Sequence, residues 1–134
     1  MLGDLIDEEQ GKVTVKRVLE SHGPGPKVEI NMQTNAKVLG IKMTNLGTYT
    51  SALQPGGFLS GEGQGVLMSK AGDMVTWTGS GTGRFKPGGG VSHRGAVYFS
   101  NASPKLDRLN GMAVVYEHES DANDKISTKY WEWK

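Results

Sequence analysis

Hydrophobic and polar residues alternate along most of the chain, in runs that are separated by short turn-forming segments. Alternation with a period of two predicts β-strands that have one buried and one exposed face. No long segment shows the 3.6-residue period of an amphipathic helix. The predicted strands are, in residue numbers, 12–20, 27–34, 37–53, 58–68, 74–85, 91–100, 109–119 and 125–134.

Consecutive strands with short connections predict an all-β protein, in which a single up-and-down antiparallel eight-stranded barrel spans residues 1–134. The alternative is a β-sandwich of two four-stranded sheets. Residues 1–11 are predicted to form a short helical turn or a frayed N-terminus, and Asn35–Ala36 a tight turn. Pro104 suits the start of a short helical turn in the loop before the seventh strand.

The hairpin over residues 58–85 carries glycine at alternate positions of both arms. A loop over Lys70–Gly72, with its glycine in the left-handed conformation, would pair Gly65 with Trp77. This register brings the glycines onto one face of the sheet, which we expect to be the interior. The missing side chains leave room either for large rings from across the barrel or for one small ligand. The glycines concerned are Gly61, Gly63, Gly65, Gly79, Gly81 and Gly83.

The composition of the chain argues against several classes of function. The formal net charge is +1 with both signs interspersed, which predicts neither a nucleic-acid partner nor an anionic membrane surface. The chain has no cysteine, and its three histidines lack metal-ligand spacing, so we expect no metal site. The Gly79–Gly83 run lacks the lysine and the helix of a phosphate loop, so no cofactor is expected. The acidic N-terminus does not resemble a signal peptide, and we expect a cytoplasmic location.

The faces of the last two strands decide which large side chains enter the barrel. With Glu119 opposite Lys125, one face carries tryptophans opposite small residues, and this complementarity favours that face as the interior. It would bring Glu117, Trp131 and Trp133 inside. The opposite face is the alternative, and it carries Met112, Val114, Tyr116, His118, Ile126, Thr128, Tyr130 and Glu132.

The apolar faces of the first and sixth strands add Arg17 and His93 to the predicted interior. A carboxyl group desolvated there would have a raised pKa and could act as a general acid or base. The predicted catalytic candidates are therefore Glu117, His93 and Arg17. The predicted ligand-binding residues are Trp77, His93, Glu117, Trp131 and Trp133. The alternative is that Arg17 and Glu117 lie at the barrel rim, or pair with each other or with Lys129, and that His93 is a hydrogen-bonded core residue.

The glycine-rich hairpin also carries a family resemblance. The segment Leu59-Ser-Gly-Glu-Gly-Gln-Gly-Val-Leu-Met68, the glycine-alternating strand after it and Arg94–Gly95 in the next strand resemble small uncharacterised microbial proteins of the allene oxide cyclase-like barrel group. That group includes the dirigent proteins. The resemblance implies an eight-stranded antiparallel barrel and frequent oligomerisation. No catalytic residue of the cyclases aligns with this chain, so none is inferred.

Two functions fit these patterns. The first is the binding of a small apolar or amphipathic molecule in the barrel interior, with or without a cyclase- or isomerase-like activity. The second is a non-catalytic structural or oligomer-forming barrel whose interior is packed. An interior cavity of about 300 Å³ or more would favour the first. We expect a homo-oligomer, dimer or trimer, in which exposed aromatic residues such as Tyr98 mark the subunit interface.

Overall fold

The strands of the chain close into one antiparallel barrel. A computed structural model describes residues 1–134, and its eight strands follow one another around the barrel in chain order, with the last pairing back on the first. This confirms the predicted fold class and rules out the open sandwich. The strands are β1 (Leu2–Leu19), β2 (Lys27–Val38), β3 (Ile41–Leu53), β4 (Leu59–Met68), β5 (Met74–Phe85), β6 (Val91–Ser100), β7 (Val114–Ser120) and β8 (Lys125–Trp133).

The two ends of the barrel are built differently. One end, here called the hairpin end, carries the loops after β1, β3, β5 and β7. The other, the terminal end, carries both chain termini and a 3₁₀ helix over Pro104–Leu109, which begins at the predicted proline. Leu106 and Leu109 of this helix are 0% exposed and pack into the main apolar core, so they plug the terminal end. No helix of the protein is both long enough and apolar enough to cross a bilayer.

The glycine face of β4 and β5 points into the barrel, as predicted. Gly65 pairs with Trp77, and Gly72 in the connecting loop has a φ of +91°. A Cβ atom added at Gly65 would overlap the Trp77 indole, and one at Gly81 would overlap the Tyr116 hydroxyl. The same holds for Gly83, where the added atom would lie 2.6 Å from the His93 ring. Glycine is therefore required on this face because large rings occupy the space that side chains would fill.

The N-terminal segment differs from the prediction. It forms neither a helical turn nor a frayed end, because β1 begins at Leu2 and pairs with β8 from there on. The pairing shifts between Leu5 and Asp7, and this bulge turns two consecutive side chains, Ile6 and Asp7, into the interior. The tight turn predicted at Asn35–Ala36 is also wrong, since β2 continues to Val38 and the chain reverses at Leu39–Gly40.

The interior face predicted for β7 and β8 is wrong. Glu119 pairs with Ser127, two residues from the expected register, which leaves the same side chains together on each face. The buried face is the one that carries Tyr130 and His118, which are 5% and 6% exposed. Trp133 is 54% exposed on the outer wall. The tryptophans of β8 contact residues on the outer face of the barrel, where Leu5 of β1 pairs with Trp131.

Candidate functional site

The barrel interior contains a small cavity of about 50 Å³. The glycine backbone of β4 and β5 forms one side of it, and aromatic rings form much of the rest. A buried water needs about 10–15 Å³ of such space, so the cavity accommodates a few waters or a group of similar size. It is well below the roughly 300 Å³ that is usual for a ligand pocket. The ring-bearing residues that line it are Tyr49, Trp77, His93, Tyr116, His118 and Tyr130.

Two histidines, a tyrosine and a threonine form a compact group beside this cavity, which we call the histidine layer: Tyr49, His93, His118 and Thr128. The sheet places three of them directly, because His118 pairs with both His93 and Thr128 across neighbouring strands. His118 Nδ1 lies 2.7 Å from Thr128 Oγ1, and its Nε2 lies 3.3 Å from the Tyr49 hydroxyl. The rings of His93, His118 and Tyr49 meet edge to face with centroids 5.6–5.9 Å apart.

His93 differs from His118 because neither of its ring nitrogens has a hydrogen-bond partner, although the residue is only 6% exposed. Burial lowers the pKa of His93. Burial, together with the neighbouring His93, lowers the pKa of His118 to about 4. Burial also raises the pKa of the Tyr49 hydroxyl. At neutral pH the layer is therefore uncharged, and the neutral His93 ring carries one unpartnered donor and one unpartnered acceptor.

A second polar group, the carboxylate layer, lies beside the first in the barrel interior and comprises Asp7, Glu9, Thr34 and Asn45. Glu9 Oε1 accepts hydrogen bonds from Thr34 Oγ1 at 2.5 Å and from Asn45 Nδ2 at 2.9 Å. Asn45 Oδ1 in turn accepts a 2.8 Å hydrogen bond from Trp77 Nε1. None of the four layer residues borders the cavity. This layer is packed, whereas the histidine layer borders open space.

Asp7 is the exceptional member of the carboxylate layer. It is 1% exposed, and neither of its oxygens has a hydrogen-bond partner. Burial and the adjacent Glu9 carboxyl raise the pKa of Asp7 to about 11. No buried lysine or arginine is present to compensate a negative charge. Asp7 is therefore a neutral carboxylic acid at physiological pH.

The structure brings together only part of the predicted site. Trp77 and His93 line the cavity, so their predicted interior positions are confirmed. Glu117 lies on the outer wall, 3.9 Å from the Arg94 guanidinium, and the two tryptophans of β8 lie outside as well. The predicted interior positions of Glu117, Trp131 and Trp133 are therefore wrong.

Arg17 does not enter the barrel either. A second bulge, between Val13 and Val15, interrupts the alternation of β1, and the strand runs past the end of β8. The exposed Arg17 guanidinium donates two hydrogen bonds to the Glu29 carboxylate, at 3.1 and 3.0 Å. The predicted position of Arg17 near His93 is wrong, because the hairpin of β1 and β2 places Arg17 in solvent.

Three members of the histidine layer, Tyr49, His118 and Thr128, are absent from the site predicted from the sequence. His118 belongs to the alternative face of β7, and Tyr49 shares the apolar face of β3 with Met43. The alternation therefore contained a signal for both residues, but the choice of the other face of β7 and β8 placed His118 and Thr128 outside. No group of three or more histidine, aspartate or glutamate side chains is arranged to hold a metal ion.

Solved structures share this fold. A protein with unknown function from Clostridium acetobutylicum superposes with a TM-score of 0.82 at 12% sequence identity, over 98% of each chain. A conserved protein of unknown function from Rhodopseudomonas palustris gives 0.80 at 13% identity, over 99% of each chain. No family model and no curated protein sequence matches the chain. These similarities establish the eight-stranded barrel and leave its function to be argued from the site.

Proposed function

We propose that the protein binds a small amphipathic molecule in the barrel interior, with its polar end on His93. The observation that carries the proposal is the pair of unpartnered ring nitrogens of this buried histidine, which lies against the cavity. A buried polar group without a partner costs about 1–3 kcal/mol. A ligand that supplies one donor and one acceptor would remove that cost on binding.

The walls of the cavity limit the chemistry of the ligand. Trp77, Tyr116 and Val97 supply apolar surface, and no buried cation is available to hold an anion. A neutral hydroxyl, amide or carboxylic acid on a short apolar body suits these walls. From the size of the cavity, only about four or five non-hydrogen atoms fit without movement of the rings. A larger molecule would insert only its polar end unless Tyr49 or Tyr116 turned aside.

A cyclase- or isomerase-like activity is the catalytic form of the same proposal. The neutral imidazole of His93 is chemically able to take a proton from one atom of a bound molecule and return it to another. The glycine-alternating hairpin supports a place in the allene oxide cyclase-like barrel group. The lack of cysteine is consistent with the expected cytoplasmic location.

Nuclear magnetic resonance of the histidine rings tests the binding proposal. We expect 1-propanol, acetamide or propionic acid at millimolar concentration to shift the His93 and His118 ring signals saturably. In His93→Phe, whose ring has no hydrogen-bonding atom, the His118 signals should no longer respond. His93→Gln serves as a second variant if the phenylalanine is not accommodated.

Two controls accompany this experiment. His22→Phe changes an exposed histidine of the loop after β1, and Glu117→Ala changes a predicted ligand-binding residue that lies on the outer wall. Both variants should bind the probes as the unaltered protein does. Failure of every probe to give a saturable shift would contradict the proposal. An unchanged response of His118 in both His93 variants would contradict it equally.

A second candidate function is that of a non-catalytic structural barrel. The observation that favours it is the cavity volume of about 50 Å³, because the rings over the glycine face occupy most of the interior. Such a barrel would bind no probe and would owe its function to its outer surface. The same titration therefore decides between the two candidates.

A further inference from the structure

The outer faces of β1 and β8 carry an apolar patch, consisting of Leu2, Leu5, Trp131 and Trp133. Leu2, Leu5 and Trp133 are 55%, 48% and 54% exposed, and Trp131 is partly exposed. Paired tryptophans on an outer wall are unusual for a surface that faces only water, because aromatic side chains concentrate at the centres of interfaces.

The register of the two strands makes this patch self-complementary. Leu2 pairs with Trp133, and Leu5 pairs with Trp131, so each leucine of β1 lies beside a tryptophan of β8. A two-fold axis that runs along the strands, between β1 and β8 and just outside the wall, exchanges the two strands. Rotation about this axis places β8 of one copy over β1 of the other, and hence each tryptophan over a leucine.

We infer that a second copy of this chain docks on the patch about this axis, to form a symmetric dimer. The next outward pair along the strands is Glu8 with Lys129, both exposed. The same rotation brings Lys129 of one copy over Glu8 of the other, on both sides of the axis. Two apolar contacts and one ion pair are thus each made twice, so one rotation satisfies shape and charge together.

The charges around the patch favour a second copy over other partners. Arg108 binds Asp4 at 2.9 Å and Glu132 at 3.2 Å, and Lys134 lies 4.0 Å from Glu132, so two cations balance two carboxylates at the rim next to the tryptophans. A polyanion or an anionic membrane needs an unpaired basic surface, which this rim does not provide. The net charge of +1 is also too small to keep two copies apart.

The size of the patch fits the centre of an interface rather than its whole area. A tryptophan side chain has about 250 Å² of surface, so Trp133 at 54% exposure offers on the order of 130 Å². A standard dimer buries about 800 Å² per copy, most of it around an apolar centre.

Sedimentation velocity over a concentration series tests the dimer. The unaltered protein should pass from monomer to dimer between low and high micromolar concentration. Trp133→Lys and Leu5→Lys should weaken association by about thirtyfold or more, as expected for residues at an interface centre. Tyr98→Lys is the matched control, since Tyr98 is 56% exposed on β6, and it should leave association unchanged.

A charge exchange tests the proposed axis independently of the apolar contacts. Glu8→Lys and Lys129→Glu should each weaken the dimer, because like charges would then meet across it. The double exchange should restore association, while Glu62→Lys on the outer face of β4 should have no effect. Thermal unfolding of each variant shows whether the fold itself is kept.

Several results would overturn the inference. A protein that remains a monomer at every concentration would overturn it. If that monomer also sediments with phosphatidylcholine vesicles, the patch would instead be a site for a lipid surface. A dimer that Tyr98→Lys disrupts and Trp133→Lys does not would place the interface elsewhere. A dimer that the double charge exchange fails to restore would reject the proposed axis.

Discussion

The barrel buries two polar layers, and they differ in what lies beside them. The carboxylate layer is surrounded by packed side chains, and Glu9 within it accepts two hydrogen bonds from neighbouring residues. The histidine layer borders the cavity, and His93 within it has no partner at all. A polar group beside open space can be satisfied by a bound molecule, whereas one in packed surroundings must be neutral or paired. The comparison therefore favours His93 over the carboxylate layer as the place for the proposed ligand, and gives Asp7 and Glu9 a structural role in the barrel.

The two layers should also respond to pH in opposite ways. The histidines are held neutral, so acid that charges them opposes folding. Asp7 is likewise held neutral, so base that charges it opposes folding.

Trp77 connects the two layers, since its indole nitrogen donates a hydrogen bond to Asn45 while its ring lines the cavity.

The largest effect is expected from Trp77→Ala. The substitution empties the recess over Gly47 and Gly65 and leaves Asn45 Oδ1 without its donor. We expect a loss of about 3–5 kcal/mol in the free energy of unfolding, measured by denaturant titration. Trp133→Ala on the outer wall, measured at low protein concentration, should cost less than about 1 kcal/mol. Equal losses for the two tryptophans would contradict the interior role of Trp77.

The alternation of residues was sufficient to predict most of the fold. The glycine hairpin was predicted with its register and its inward face, because six glycines at alternate positions permit only one grouping. The acidic start of β1 was missed for a physical reason. Asp7 and Glu9 belong in water by their polarity, and only the completed barrel, with a bulge and hydrogen-bond donors from β2 and β3, takes them inside.

The candidate site was less predictable than the fold. Both faces of β8 carry aromatic rings, so hydrophobicity did not decide between Tyr130 and Trp131. The interior face of β8 depends on its neighbour β1, and the part of β1 that pairs with β8 was not predicted as a strand. Because the first part of β1 was not predicted as a strand, the prediction placed Trp131, Trp133 and Glu117 in the interior and left His118 outside.

The acid side of the comparison is tested with His118→Gln. An unfolded histidine binds a proton near pH 6.5, and the native His118 does so only near pH 4. Between these pH values the unfolded state holds more protons than the native state. The stability that depends on a neutral His118 is therefore fully present above pH 6.5 and declines as the pH falls towards 4. The loss from this residue amounts to at most about 3 kcal/mol.

Glutamine can still hydrogen-bond to Thr128 but does not titrate, so the variant should lose less stability than the unaltered protein between pH 6.5 and 4. Denaturant unfolding at intervals of pH measures this difference. His22→Gln, at an exposed position, should leave the acid limb as it was. If both variants follow the unaltered protein, His118 is not held neutral by the barrel.

The alkaline side of the comparison is tested with Asp7→Asn, which keeps the shape of the neutral acid and removes its titration. The folded pKa of about 11 lies above the unfolded value of 3.8, so between them the native state keeps a proton that the unfolded state has lost. The stability of the unaltered protein should therefore fall as the pH rises through this window, by at most about 1.4 kcal/mol per pH unit from this residue.

The advantage of the asparagine variant should accordingly grow with pH. A domain of this size is stabilised by about 5–15 kcal/mol in total, so the full slope cannot persist over the whole window. We expect it between about pH 5 and 7, followed by a plateau once local opening hydrates the carboxyl group. Asp4→Asn, exposed on the same strand, controls for the loss of a carboxylate from β1. A constant difference between Asp7→Asn and the unaltered protein from pH 5 to 9 would show that Asp7 reaches water or a cation in the folded barrel, and the two polar layers would then no longer differ in kind.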